Sequence, residues 1–390
     1  MSAIHDVVVV GGGIFGVTAA LELRRRGASV VLLDPGPLPH PDAASTDITK
    51  LVRLDYGADA FYTGRMEEAL AGWRDWSSRW KRPLFHETGI LFLCSGPMDE
   101  ASFERSSFDS LSARGHRLER LDGRAIGDRF PAWARGRFVD GYYNPQGGFA
   151  ESGAVVAALA GEARALGVAV REGARIRPLE GDGRVEGVVL DNGDRVSGGA
   201  VVIAAGAFTP VLVPELADRI RAIGQPVLHF SPPDLGPFEP PGFVPWTADI
   251  GRTGWYGFAA HAGVVKIANH GPGILVDPAA PRRVPDDAEA FFRSFLRDAI
   301  PSLADAPCTL KRLCLYCDSF DGDFIIDRHP TRAGLVVAAG GSGHAFKFAP
   351  SLGGWIADVT LGAGGAGIFR FRWRTLGDAR REEARFTGAS

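Results

Sequence analysis

The sequence predicts a mixed α/β protein in which a parallel, Rossmann-like sheet flanked by helices is interleaved with a second domain built on an antiparallel sheet. Three observations predict it. A β-branched run, Val7-Val8-Val9-Val10, breaks at Gly11-Gly12-Gly13 and passes into a helical pattern, the strand-turn-helix opening of a nucleotide-type fold. Further buried-strand runs recur far down the chain, at 201–206 and 334–340, as in a sheet assembled from distant segments. Between them, residues 216–324 carry short aromatic and β-branched runs cut by Pro and Gly, the pattern of antiparallel strands.

Each element follows from its residues. Val17, Ala20, Leu21 and Leu23 predict a helix over 14–26, closed by Arg24-Arg25-Arg26 at its negative end and Gly27 beyond. Ser29-Val30-Val31-Leu32-Leu33-Asp34 reads as the second strand, and 35–58, rich in Pro and Asp, as a loop that lines a ligand. Met66, Leu70, Trp73 and Trp76 share one face of a helix over 61–80. Residues 151–170 read as helical, while 168–170, 187–190 and 201–206 read as strands returning to the first sheet. The middle section holds strands near 254–258 and 264–267 and a helix near 286–299. After the strand at 334–340 come Gly341-Ser342-Gly343 and a helix ending near Leu361. From Phe369 arginines alternate with aromatics, predicting a solvated or docking tail. The expected division is 1–80, 150–215 and 325–365 for the nucleotide domain, 81–149 and 216–324 for the substrate domain, and 366–390 for the tail.

Composition narrows the function. With 390 residues, 45% hydrophobic and 23% charged, the chain is long enough for two substantial cores. A net charge of -3 offers no footprint for nucleic acid, and no apolar run is long enough for a membrane helix. The opening Met1-Ser2-Ala3-Ile4-His5-Asp6 lacks a secretory pattern, so a cytoplasmic location is expected, with the four cysteines as thiols.

Gly11-x-Gly13-x-x-Gly16 lies between strand and helix, and Asp34 closes the second strand. Gly11 permits the tight turn, Gly13 admits a pyrophosphate, Gly16 lets helix and strand approach, and the helix N-terminus favours phosphate. Asp34 is the expected acceptor for adenosine ribose hydroxyls. NAD and FAD share this fingerprint, and Asp34 disfavours only NADP.

The stretch Cys314-Leu315-Tyr316-Cys317-x5-Asp323-Phe324-Ile325-Ile326-Asp327-x-His329-Pro330, then Ala338-Ala339-Gly340-Gly341-Ser342-Gly343-His344-Ala345-Phe346-Lys347-Phe348, closely resembles the monomeric sarcosine oxidase and fructosyl amino acid oxidase family. Thr49-Lys50-x-x-Arg53, Tyr256-Gly257-Phe258 and Val265-Lys266-x3-His270 extend the resemblance over nearly the whole chain. It implies an FAD-binding domain of the glutathione-reductase/D-amino-acid-oxidase type, interleaved with an antiparallel-sheet substrate domain. It also implies a monomer that oxidises the secondary amine of an amino acid (N-methyl, fructosyl or cyclic imino) to an imine, while oxygen becomes hydrogen peroxide.

The resemblance implies roles for particular residues. FAD is expected against Gly11, Gly13, Ile14, Phe15, Gly16, Asp34, Ser45, Thr49, Lys50, Ile176, Ala205, Gly206, Gly341, Gly343, His344 and Lys347, with a thioether from Cys314 to its 8α carbon. Arg53 and Lys347 are expected to hold a substrate carboxylate, Lys266 to assist oxygen, and Tyr256 and His270 to line the substrate pocket. Lys50 departs from the arginine of sarcosine oxidases and matches the fructosyl branch, which argues against sarcosine itself, and the Asp55-Tyr56-Gly57 and Phe61-Tyr62 segment resembles the sugar-amine branch, pointing to a substrate larger than sarcosine.

From the residues alone, Lys266 sits in an apolar strand, where an ammonium needs a partner or a purpose, an exposed edge lysine being the alternative. Arg53 is alternatively a surface residue, and Tyr256 and His270 are alternatively packing residues. Cys317 makes a CxxC with Cys314, leaving zinc or dithiol readings to weigh although no metal site is expected, and Cys94 and Cys308 read as buried apolar thiols. Two rival functions stand beside the oxidase: a dehydrogenase passing electrons to a carrier docked on the basic tail, and a non-catalytic flavin-binding protein.

Overall fold

The computed structural model describes residues 4–99, 102–363, 366–377 and Arg385. Its first sheet runs Ile325–Arg328, Leu335–Ala339, Arg195–Ile203, His5–Val10, Val30–Leu33, Ala169–Arg171. The pairings are parallel except at the Ile325–Arg328 edge. His5–Val10 is paired on both sides and covered on both faces, which is why its apolar residues run without alternation. Helices Ile14–Arg25, Ser152–Ala165 and Ala349–Leu361 bury Val17, Leu21, Val155, Leu159, Leu352 and Ile356 with Val7 and Val9 of that strand.

The second sheet runs Ile274–Leu275, Ile220–Phe230, Val265–Asn269, Trp255–Gly257, Trp246–Ala248, Ile90–Cys94, Asp140–Asn144, Glu119–Asp122, with Cys308–Ser319 also on Ile220–Phe230. Helix Ala288–Ala299 presses Phe292, Phe295 and Leu296 onto Trp246, Ile267 and Phe230 beneath this sheet. Among the described residues no helix is long and apolar enough to cross a membrane.

Several expectations need correction. The helix predicted over 151–170 stops at Ala165, because Gly167 takes a positive φ of 88° and the apolar run after it becomes strand Ala169–Arg171. Gly187–Val189 does return to the first sheet, but outside the run of parallel strands, pairing antiparallel on Arg195–Ile203. The 35–58 loop contains strand Lys50–Arg53, which forms a third, three-stranded sheet with Gly147–Ala150 and Phe85–His86. Four residues with a cation at each end carry too little periodicity to announce that strand. The second sheet includes one parallel pair, Trp246–Ala248 on Ile90–Cys94. Through 377 the tail docks rather than floats: Phe371 is fully buried, Arg370 bonds Asp323 and Asp59 at 2.7 Å each, and Arg374 grips Asp321, while Phe369 and Leu376 remain exposed. Residues 378–390 of the predicted tail, Arg385 apart, lie outside the described residues.

Candidate active site

The glycine motif is built by contact as well as by propensity. A Cβ on Gly11, whose φ is 97°, would stand 2.5 Å from the Ala204 carbonyl oxygen, and one on Gly16 would stand 1.7 Å from that of Gly11. Gly13 precedes the helix, whose first amide, Ile14 N, donates to the Ser45 hydroxyl at 2.9 Å. Asp34 is buried and accepts from Gly12 N at 2.7 Å and Gly36 N at 2.9 Å. Burial raises its carboxyl above the ordinary value, against the pull of those two donors. Ala205 lies against Gly11 with Gly206 next to it, and Ile176 follows Ala174, whose amide bonds the Asp34 carbonyl at 2.8 Å. The Phe15 ring reaches the surface of Gly341, linking this end of the sheet to the second half of the site.

That half is a cavity of about 540 Å³, its open mouth included. Lys50, Arg53, Tyr256, Lys266, His270 and Lys347 all line it, as do Gly343 and His344. Leu51, Ile250, Phe258, Tyr316 and Phe346 complete the wall and had not been assigned to it, although Phe258, Tyr316 and Phe346 stand in the motifs that carried the resemblance. Lys50 and Arg53 come from the unforeseen third sheet, Tyr256 and Lys266 from neighbouring strands of the second. Gly343 has a φ of 76°, and a Cβ there would stand 2.3 Å from the Tyr316 ring, so only glycine lets that ring reach the wall.

Polar contacts fix the lining. Lys347 Nζ donates to the Tyr56 hydroxyl at 2.9 Å, and that hydroxyl bonds His344 Nδ1 at 2.9 Å. His344 Nε2 meets the Gly322 carbonyl at 3.0 Å; since a carbonyl only accepts, Nε2 carries the proton and Nδ1 accepts from Tyr56. The Arg53 guanidinium lies 5.0 Å from the Tyr56 ring centre and 5.4 Å from that of Phe103. Behind it, Asp55 is fully buried and accepts from the Tyr142 hydroxyl at 2.7 Å. Glu104, also buried, accepts from Ile250 N at 2.9 Å behind the wall, and burial pushes its carboxyl up to about 7.

Lys266 is buried rather than an exposed edge residue, and it has a partner. Its ammonium donates to Asp47 Oδ2 at 2.7 Å and to the Thr49 carbonyl at 2.5 Å. Burial draws it down to about 8 against the attraction of Asp47. Burial alone would raise Asp47, but Lys266, His229 and Lys50 outweigh it and hold that carboxyl well below the usual carboxylate range. Nothing in the sequence points to Asp47 or Glu104, and Tyr56, which enters only within its segment, carries no assigned role there.

Cys314 does not line the cavity; it is buried with Val227, Ala268 and Tyr316, and Tyr256 packs against that cluster. Cys317 lies three residues along the same strand and so faces the other side, among the first sheet's residues, where burial pushes its thiol up to about 12. Opposite faces cannot share a zinc ion or close a dithiol bridge, which removes both CxxC readings. Cys308 is half-buried rather than buried.

The residues present fit a flavin dinucleotide. The glycine cradle leaves no room for side chains, and the hydroxyls of Thr46 and Thr49, between motif and cavity, are buried without a hydrogen-bond partner among the described residues.

Comparison with known proteins agrees. A family model described as "DAO: FAD dependent oxidoreductase" matches residues 6–359. N-methyl-L-tryptophan oxidase of Salmonella arizonae is 30% identical over 92% of this chain and 95% of its own length. Monomeric sarcosine oxidase of a Bacillus species is 27% identical over 93% of each chain. Among solved structures, the fructosyl amine oxygen oxidoreductase Amadoriase I of Aspergillus fumigatus superposes with a TM-score of 0.82 at 25% identity, covering 100% of this chain and 94% of its own. Glycine oxidase of Geobacillus kaustophilus, at 20% identity and a TM-score of 0.79 over 95% of this chain and 98% of its own, shares the fold.

Proposed function

Since the chain belongs to the DAO family of FAD dependent oxidoreductases, we propose that it oxidises the secondary amine of an amino acid to an imine and passes the electrons to oxygen, giving hydrogen peroxide. One observation carries the substrate class: the cavity wall presents Lys50, Arg53, Lys266 and Lys347 and contains no acidic side chain among the described residues, so it suits a carboxylate. FAD, when bound, supplies the acceptor for a hydride equivalent from the carbon beside nitrogen.

The chain's own residues do the rest. Arg53 and Lys347 hold the carboxylate, the guanidinium through its fork and the ammonium as a point charge. Tyr256 and His270 orient the amine in its neutral form, which alone can give up hydride. Lys266 stabilises the anion that forms as oxygen is reduced. We assign the covalent flavin link to Cys314, beside Tyr316 and Tyr256, and read the protein as a cytoplasmic monomer with the segment division expected from its sequence. Lys50 and the Asp55-Tyr56-Gly57 and Phe61-Tyr62 segment favour a substrate larger than sarcosine, among N-methyl, fructosyl and cyclic imino acids. Arg370 and Arg374, two of the tail arginines that could dock a carrier, are engaged with Asp59, Asp321 and Asp323.

The test is anaerobic mixing of the FAD-loaded protein with these amines, followed by admission of oxygen. The yellow colour is expected to bleach with a fitting amine and to return with stoichiometric peroxide. A protein that no amine bleaches, or that recovers only with an artificial acceptor, overturns the oxidase reading.

A further inference from the structure

Asp47 has no assigned role, yet it occupies a constrained position. Its side chain is buried, with Oδ2 2.7 Å from Lys266 Nζ and Oδ1 3.6 Å from His229 Nε2. His229 and Lys266 stand directly opposite each other on paired strands, so both side chains rise from the same face of the second sheet. Asp47 reaches them from the segment before Lys50–Arg53, bringing a carboxylate between two groups that are both cationic when protonated.

An ammonium has three protons to donate. Asp47 takes one and the Thr49 carbonyl a second, which leaves one for the cavity that Lys266 lines. The Phe258 ring, 4.6 Å from Nζ, closes another side with apolar surface. Without an anion here, a lysine this deeply buried sheds its proton and its charge near neutrality.

We propose that Asp47 is a positioning residue: bridging His229 and Lys266, it holds the lysine as a fixed cation at the cavity edge, so that the oxygen step keeps its electrostatic assistance through neutral pH. The proposal rests on the reading of Lys266 as the cation of that step. The charged and titratable groups facing Lys266 are Asp47 and Lys50 from the segment around the third sheet, His229 from Ile220–Phe230 and Cys314 from Cys308–Ser319. Tyr256 faces the same carboxylate and thiol. Asp47 favours the charged lysine, while burial and Lys50 oppose it.

The experiment uses the FAD-loaded protein with lysine labelled at Nζ, the Lys266 signal being assigned by its loss in Lys266→Met. In the wild type, Lys266 is expected to titrate near pH 8. In Asp47→Asn the midpoint is expected to fall by at least about one unit, equivalent to a tenfold change in the protonation equilibrium. Stopped-flow reoxidation of the substrate-reduced Asp47→Asn protein is expected to slow about fivefold at pH 8, approaching about tenfold at higher pH, and to recover toward acid, with the reduction rate unchanged. A titration and a reoxidation profile that both overlay the wild type overturn the proposal. If Asp47→Asn does not fold, the wild type decides: the Asp47 carboxyl carbon must shift through the same midpoint as Lys266, and independent midpoints overturn the bridge. If Lys266→Met leaves reoxidation unchanged, the oxygen role of Lys266 fails, while the titration still reports whether Asp47 holds its charge.

Discussion

At Tyr56 a single hydroxyl serves two partners, accepting from Lys347 and donating to His344, and both lie in the cavity wall. Tyr56→Phe removes that hydroxyl and leaves a buried ammonium and an imidazole nitrogen to find other partners. Urea unfolding is expected to show a loss of about 1 to 3 kcal/mol, the cost of buried polar groups left unsatisfied. The KM for a carboxylate-bearing amine is expected to rise several-fold as Lys347 loses its anchor, and an unchanged KM would show that Lys347 does not depend on Tyr56. Lys266 was legible from the sequence because an ammonium inside an apolar strand is conspicuous. Asp47 was not: it sits in a segment rich in Pro and Asp, and its partner lies 219 residues away. No local pattern encodes a contact of that range.

Among the elements, the strand Cys308–Ser319 rewards attention to alternation. Cys314 and Tyr316 turn toward the cavity side, while Leu313, Leu315 and Cys317 turn away, so two thiols that look like a motif in one dimension are separated in three. The short helix Ile250–Thr253 carries a different device, since its first amide bonds the buried Glu104. Glu104 titrates at about 7 when folded against an ordinary 4.5, so between these values the folded chain keeps a proton that the unfolded chain releases. Stability is therefore expected to fall as pH rises through this window, by about 3 kcal/mol in total from this group. Urea midpoints at either end of the window check it, and Glu104→Gln, which can still accept from Ile250 N, is expected to flatten the dependence. An identical slope in that variant would assign the effect elsewhere. The strand Lys50–Arg53 was read as loop because pairing with Gly147–Ala150, not its own pattern, makes it a strand.

Over the whole molecule, the site draws on all three sheets: the glycine cradle belongs to the first, Lys266 and Tyr256 to the second, Lys50 and Arg53 to the third. The parallel core and the glycine turn were legible because each is written in contiguous residues. The third sheet was not, because its strands come from three separated segments. A ligand bound across all three sheets should tighten the entire fold. Loading Cys314→Ala apoprotein, in which FAD can bind only reversibly, is expected to raise the thermal midpoint by the equivalent of about 2.7 kcal/mol at a hundredfold excess over Kd. A midpoint indifferent to FAD would mean that the cofactor does not join these layers.

The docked tail has a consequence for how the enzyme is made. Arg374 and Arg370 secure the loop around Asp321 and Asp323, whose Gly322 carbonyl orients His344, and the parallel sheet receives Leu335–Ala339 only after the preceding three hundred residues have left the ribosome. A nascent chain thus carries its glycine turn about three hundred residues before Tyr316, Gly343, His344 and Lys347, which complete the cavity wall, so that wall closes late in synthesis.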